Sequence, residues 1–286
     1  MDSPKRSADQ EDLAQLNAQL AELNERLETH LELLRLDQQA GGQVQRKLLP
    51  AHRQTINGVS CDYWLQPALY LSGDFLDFQR FDDRFTLFYF ADVAGNGASS
   101  AFVTVLLKLL FNRWLSEWDA TQAESMPARW LAQLNRELLD TGIGKHATLF
   151  VGVIDRWTRE LHYSLGAQLP KALLVKEGSV LELPGEGMPV GLFADAEYPR
   201  LTYRLPPNFR LWLCSDGVLD CVPGATLDLR LKEIERRVQA STSLEGLCAG
   251  LTHKLPQELE AEGGESWELS DDLTIMVLSG FTDDHE

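Results

Sequence analysis

With 286 residues, the chain has room for one large domain and an appendage, since domains usually hold about 100 to 250 residues. A formal net charge of −17 excludes a surface built for nucleic acid or anionic lipid, either of which needs clustered Lys and Arg. No apolar run approaches the roughly 18 residues of a membrane span, and the polar, charged N-terminus does not read as a secretory signal. The cysteines, Cys61, Cys214, Cys221 and Cys248, lack the spacing of a zinc site and are expected to be reduced, buried thiols in a cytoplasm.

In chain order, leucines recur at Leu13, Leu16, Leu20, Leu23, Leu27 and Leu34, a 3,4 spacing that fills heptad a and d positions until His30 and Asp37 interrupt it. This predicts a short coiled coil over residues 1–42, with an amphipathic helix packed on its own domain as the alternative. Gly41 and Gly42 are expected to break that helix. A second helical stretch, "QVQRKLLP", should stop at Pro50, which lacks an amide hydrogen. The pattern then changes to short apolar runs separated by turn residues: "YWLQPALYL", "RFTLFYFADV", "HATLFVGVID", "ELHYSLGA", "KALLVKEG", "FRLWLCSDG" and "LTIMVLSG". Helical patterns cover residues 98–118, 128–140 and 227–255. Strands and helices thus come in blocks, which predicts an α+β sandwich of antiparallel sheets flanked by helices over residues 43–286.

Acidic residues sit where strand-like runs end. "SGDFLDF" carries Asp74 and Asp77, "ADVAGNG" carries Asp92, "CSDGVLD" carries Asp216 and Asp220, and "SDDLT" carries Asp271 and Asp272. A carboxylate at the edge of a core is costly unless neutralised, and a neighbouring glycine lets backbone approach a ligand closely. Each motif alone is weak, since Asp-Gly after a strand is more often just a turn. Together they suit hard divalent cations, magnesium or manganese rather than zinc, in a two-metal centre.

At these residues the chain resembles the SpoIIE/RsbU-type bacterial serine/threonine phosphatases of the PPM (PP2C-like) superfamily. "SGDFLDF" is similar to the family's Gly-Gly-Asp-aromatic-x-Asp motif and "ADVAGNGASSAF" to Ala-Asp-Val-x-Gly-His-Gly. "CSDGVLD" is similar to Thr-Asp-Gly-Val-x-Glu, "SDDLTIMVL" to Asp-Asp-hydrophobic-Thr, and "VQRKLLP" to the Gln-x-x-Leu-Leu-Pro prelude. The resemblance implies a PP2C-like αββα fold and two Mn²⁺ or Mg²⁺ ions. It makes Asp92 the bridging ligand with the Val93 carbonyl beside it, adds Asp216 and Asp271, and gives Asp74 a place on the second ion or a bound water. Asp74, Asp92, Asp216 and Asp271 are then the catalytic set. Asp77 and Asp272 receive no role.

The chain departs from the pattern at Ser72 and Asn96, in place of glycine and histidine, at Asp220, in place of glutamate, and at Gln168 in "LGAQLP", where histidine is common. No Arg or Lys directly precedes Asp74, and no Cys-x5-Arg loop supplies a nucleophile. His146 and His162 are expected to be structural, and Trp114, Trp118, Trp130 and Trp212 to fill cores. The resemblance further implies a phosphorylated regulatory protein as substrate, of the STAS-type anti-sigma-factor antagonist class, in a partner-switching or two-component pathway. An upstream sensor or receiver domain and a homodimer through the N-terminal helix are the expected company. A phosphatase-like module that binds a partner without turnover is the alternative, and a coiled-coil adaptor a further one.

Overall fold

The computed structural model describes residues 4–117, 120–251 and 269–281. It opens with a single helix, α1 (Pro4–Leu48). The break expected at Gly41 and Gly42 is absent. Glycine in a helix costs about 1 kcal/mol relative to alanine, but here the helix touches the chain following the second strand. A Cβ on Gly42 would lie 2.1 Å from the Tyr70 carbonyl oxygen, so glycine is what permits the contact. Leucines along α1, including Leu13, Leu16, Leu20, Leu23, Leu27 and Leu34, are exposed, which removes the reading of a helix packed lengthwise on its own domain.

The strands β1 (Gln54–Ile56) and β2 (Val59–Gln66) follow, then β3 (Asp74–Arg80) and β4 (Phe85–Val93). β2 ends at Gln66 because Pro67 cannot donate, so the run predicted to reach Leu71 finishes as a loop. The helices α2 (Ala98–Glu117) and α3 (Met126–Thr141) come next, and α3 ends on Gly142 in the left-handed conformation. After them run β5 (Ala147–Asp155), β6 (Glu160–Gly166), β7 (Leu173–Lys176), β8 (Ser179–Glu182), β9 (Leu201–Arg204) and β10 (Phe209–Cys214). A 3₁₀ turn (Asp216–Cys221), α4 (Leu227–Ala240), α5 (Leu244–Leu251) and β11 (Leu273–Gly280) complete the chain. The helical pattern predicted over 227–255 is divided between Ala240 and Leu244, and its last four positions lie outside the described residues, as do Trp118, His253 and His285. The short strands β1, β8 and β9 carry too few alternations to be read from sequence.

Two antiparallel sheets result, one in the order β1-β2-β11-β10-β7-β8 and one in the order β3-β4-β5-β6-β9. Alternation along each strand divides the apolar residues among three layers. Leu76, Phe78, Phe88, Phe90, Leu213 and Met276 pack between the sheets. Tyr89, Val151, Phe111, Trp114 and Trp130 join the second sheet to α2 and α3, while Trp212, Ile275, Ile234 and Leu247 join the first sheet to α4 and α5. This is the predicted αββα sandwich. None of the four cysteines forms a disulfide.

Candidate active site

The alternation that builds the central layer also aims the carboxylates. Phe88 and Phe90 face the opposite sheet, so Asp92, two residues further along β4, faces the same way at the strand end. Leu76 and Phe78 do the same on β3, which puts Asp74 on that face, and the register pairs Asp74 directly with Asp92. The chain then turns. The Val93 amide donates to the Gly73 carbonyl at 3.0 Å and the Ala94 amide to the His146 carbonyl at 2.9 Å. Gly95 and Gly97 have φ of 81° and 88°, conformations that favour glycine, and α2 begins immediately afterwards. At Gly73 a Cβ would stand 2.6 Å from the Val93 carbonyl oxygen, so the glycine before Asp74 is required by the approach of the β4 end.

The opposite sheet brings its two motifs to the same layer. Ser215 and Thr274 lock the ends of β10 and β11 together: the Ser215 amide donates to the Thr274 carbonyl at 2.9 Å, and the Thr274 amide donates to Ser215 Oγ at 2.8 Å. Gly217 lies so close that a Cβ would be 2.1 Å from the Asp272 carbonyl oxygen, which fixes Asp216 beside Asp271. Asp220 accepts from Arg230 at 3.1 Å and also from the Ser270 hydroxyl. That ties the 3₁₀ turn to the segment leading into β11.

Asp271 and Asp272, adjacent in sequence, do different things. Asp272 is buried and accepts two backbone amides from the loop between β2 and β3, Ala68 N at 2.7 Å and Gly73 N at 2.6 Å. It therefore clamps one sheet's edge to the loop that carries Asp74. Asp77 points to the other side of β3, where it is ion-paired to Lys108 of α2 at 2.6 Å and hydrogen-bonded to Gln79. It is remote from the other carboxylates in function: it joins sheet to helix.

Electrostatics follow from this crowding. Asp92 is pushed up to about 7, by burial first and then by the charges of Asp216, Asp271 and Asp272. Asp74 is raised well above the carboxylate range by burial and by Asp92, offset in part by the nearby hydroxyls of Thr274 and Ser215, neither of which makes a hydrogen bond to it. Asp216 and Asp271 are also raised, each by burial first, Asp216 next by Asp271. One carboxylate oxygen of Asp74, Oδ2, is buried with no hydrogen-bond partner among the described residues. A group of that kind calls for a ligand or a proton. As placed, no three His, Cys, Asp or Glu side chains among the described residues close on a common point to hold an ion. The all-oxygen donor set and the orphaned Asp74 oxygen nevertheless fit a hard divalent cation.

The structure also shows what sequence reasoning missed. Lys145 donates to the Ala94 carbonyl at 2.8 Å and to Ser100 Oγ at 3.1 Å, so a cation braces the turn after Asp92. A single lysine before a strand gives no signal of this. Gln168 is buried and donates to the Cys214 carbonyl at 3.0 Å, just ahead of Asp216. His162 is buried against Thr202, as expected of a structural histidine. Trp114, Trp130 and Trp212 are buried in the cores.

Two antiparallel sheets between helices, with acidic residues gathered at one end of the inter-sheet layer, define the PP2C class of phosphatase fold. The SiaA PP2C domain of Pseudomonas aeruginosa superimposes with a TM-score of 0.68 at 19% identity, over 87% of this chain and 98% of that one. The PP2C domain of the Bacillus subtilis cell-fate determinant SpoIIE, solved with a fragment of its regulatory domain, gives 0.61 at 18% identity over 79% and 64%. Among curated sequences, the phosphoserine phosphatase RsbP of Bacillus subtilis (strain 168) is 28% identical over 167 residues. That match covers 57% of this chain and 40% of RsbP, so the chain spans less than half of this relative's length. The family model of stage II sporulation protein E (SpoIIE) matches residues 82–280. The chain belongs to the SpoIIE family of PP2C-type phosphatases.

Proposed function

We propose that the protein is a divalent-metal-dependent phosphoserine or phosphothreonine phosphatase acting on a regulatory protein. The observation that carries this reading is the buried, unpartnered oxygen of Asp74 beside Asp92, whose carboxyl is raised by burial and by the charges of Asp216 and Asp271. Asp92 would serve as the shared ligand, with the Val93 carbonyl, Asp74, Asp216 and Asp271 around it. Bound Mn²⁺ or Mg²⁺ would supply the Lewis acidity that activates water and stabilises charge on the transferring phosphoryl group. The chain's own contribution is placement. Asp272 holds the Asp74 loop, Ser215 and Gly217 hold Asp216 against Asp271, and Lys145 holds the turn after Asp92. No protein nucleophile is needed.

The substrate is proposed to be a serine-phosphorylated STAS-type anti-sigma-factor antagonist in a partner-switching pathway, supported by membership of the SpoIIE family and by the resemblance to RsbP. The exposed leucines of α1 support a parallel homodimer, since an a/d stripe buries little on one helix and a continuous seam on two. An upstream sensor or receiver domain would act through that coil, with residues 1–42 as the dimerising segment and 43–286 as the phosphatase domain. Free thiols accord with a cytoplasmic location, and no helix among the described residues is long and apolar enough to cross a membrane. Hydrolysis of p-nitrophenyl phosphate with and without manganese, using Asp92→Asn as control, tests the enzymatic reading. Activity that needs manganese and is lost in the variant supports it. A wild type without turnover that still captures a phosphorylated partner would favour the non-catalytic binding module.

A further inference from the structure

The junction between α1 and the catalytic layer is made by one polar side chain. Gln45 is 6% exposed, and both ends of its amide are used. Nε2 donates to the Ser72 carbonyl at 2.7 Å and to Thr104 Oγ1 of α2 at 2.7 Å, while Oε1 accepts the Ser72 amide at 3.0 Å. Ser72 is thus held by its N–H and its C=O together, as a neighbouring strand would hold it. The grip continues toward the site, because Ser72 Oγ accepts the Asp74 amide at 3.0 Å. One turn earlier on α1, Gly41 and Gly42 lie against Leu71 and the Tyr70 carbonyl with no room for a side chain at Gly42. Among the described residues, no other α1 side chain makes a hydrogen bond outside the helix.

From this we infer that Gln45 is a positioning residue: it fixes the Tyr70–Ser72 segment, and through Ser72 the backbone of Asp74, to the C-terminal end of α1. The inference rests on the phosphatase reading only for its catalytic consequence. A primary amide satisfies an N–H and a C=O of one residue over a narrow range of positions. Sliding α1 by one residue moves a side chain about 1.5 Å along the axis and about 100° around it, which takes Gln45 out of reach of Ser72. Asp272 also holds this loop, through Ala68 N and Gly73 N, so loss of Gln45 leaves that clamp and the β3–β4 pairing but frees the Tyr70–Ser72 segment from α1.

The test uses the full chain with Gln45→Leu, which removes every bond, and Gln45→Glu, which keeps the size but puts a carboxylate against the Ser72 carbonyl. Arg46→Ala, on the exposed face of the same turn, is the control. Amide exchange should accelerate by about tenfold or more at Ser72, Gly73 and Asp74 in Gln45→Leu and at Gly73 and Asp74 in Gln45→Glu, which keeps an acceptor for the Ser72 amide, with the Val151 amide of β5 unchanged. With manganese saturating, kcat for p-nitrophenyl phosphate should fall about tenfold while KM stays within about twofold, and Arg46→Ala should match wild type. Exchange at Gly73 and Asp74 within about twofold of wild type in the variants that fold overturns the inference, as does an acceleration shared equally by Val151. If Gln45→Leu does not fold, the isosteric Gln45→Glu decides. A wild type without hydrolysis defeats the phosphatase reading, and the exchange measurement then settles the role of Gln45 by itself.

Discussion

Replacing Asp272 by alanine should loosen the site before it touches any proposed ligand. Two amides, Ala68 N and Gly73 N, donate to its buried carboxylate at 2.7 and 2.6 Å. Hydrogen bonds to a charged group contribute about 1.5–3 kcal/mol each, so losing both costs about 4 kcal/mol once some shared loss is allowed for. In a domain of this size each kcal/mol lowers the thermal midpoint by about 2–4 °C, giving a fall of roughly 10 °C for Asp272→Ala. Asp272→Asn retains the shape and one acceptor, and should lose about half as much. Removing the charge also relieves Asp74 and Asp92, which both feel it, so the comparison belongs in saturating manganese, where that relief is small. Calorimetry gives the midpoint, and amide exchange at Ala68 and Gly73 gives the local cause. A midpoint within about 2 °C of wild type, with both amides as protected as before, would refute the assignment of Asp272 as the loop clamp.

Manganese titrated calorimetrically into Asp92→Asn and Asp216→Asn should bind at least about tenfold more weakly than to wild type, because each is proposed as a direct oxygen ligand; unchanged affinity removes both from the proposed set. In cation-stripped protein, Asp92, Asp74, Asp216 and Asp271 all have folded-state pKa values above their unfolded ones, so the folded state binds more protons between roughly pH 4 and 7. Stability should therefore rise as pH falls from 8 to 5.5, and manganese should flatten the trend; a midpoint that falls steadily on acidification contradicts the raised values. The lowered carboxyls, Asp155, Glu233 and Glu245, act only below that window. Lys108→Met strands the buried Asp77 carboxylate and should cost about 3–5 kcal/mol, while Asp77→Leu with Lys108→Met recovers most of it. In both, manganese affinity should stay within about twofold, since Asp77 faces α2 rather than the carboxylate layer.

The layered fold was legible because strand alternation and glycine-flanked aspartates are local signals. "FYFADV" announces both the apolar face of β4 and the carboxylate at its end, and the structure shows why glycine stands at 73 and 217. What the sequence concealed depends on distant partners. The Ser72 and Thr104 contacts of Gln45 span 27 and 59 positions, so nothing near Gln45 marks it as different from its exposed neighbours. The same holds for Lys145, whose contacts with the turn after Asp92 span 51 and 45 positions. Gly41 and Gly42 misled because a helix interior normally excludes glycine. Only the loop pressed against α1 explains them. Asp271 and Asp272 are adjacent and chemically identical, and their division into candidate ligand and loop clamp is visible only in three dimensions.

Phosphate release from a purified serine-phosphorylated STAS-type protein shows whether these aspartates make a phosphoprotein phosphatase. Wild type and Asp92→Asn are compared with manganese and with chelator. Wild type should release phosphate only with manganese, and the variant none beyond background. Release that is equal in chelator, or equal in Asp92→Asn, would contradict the phosphatase reading, as would a wild type that binds the phosphoprotein in manganese and leaves its phosphate in place.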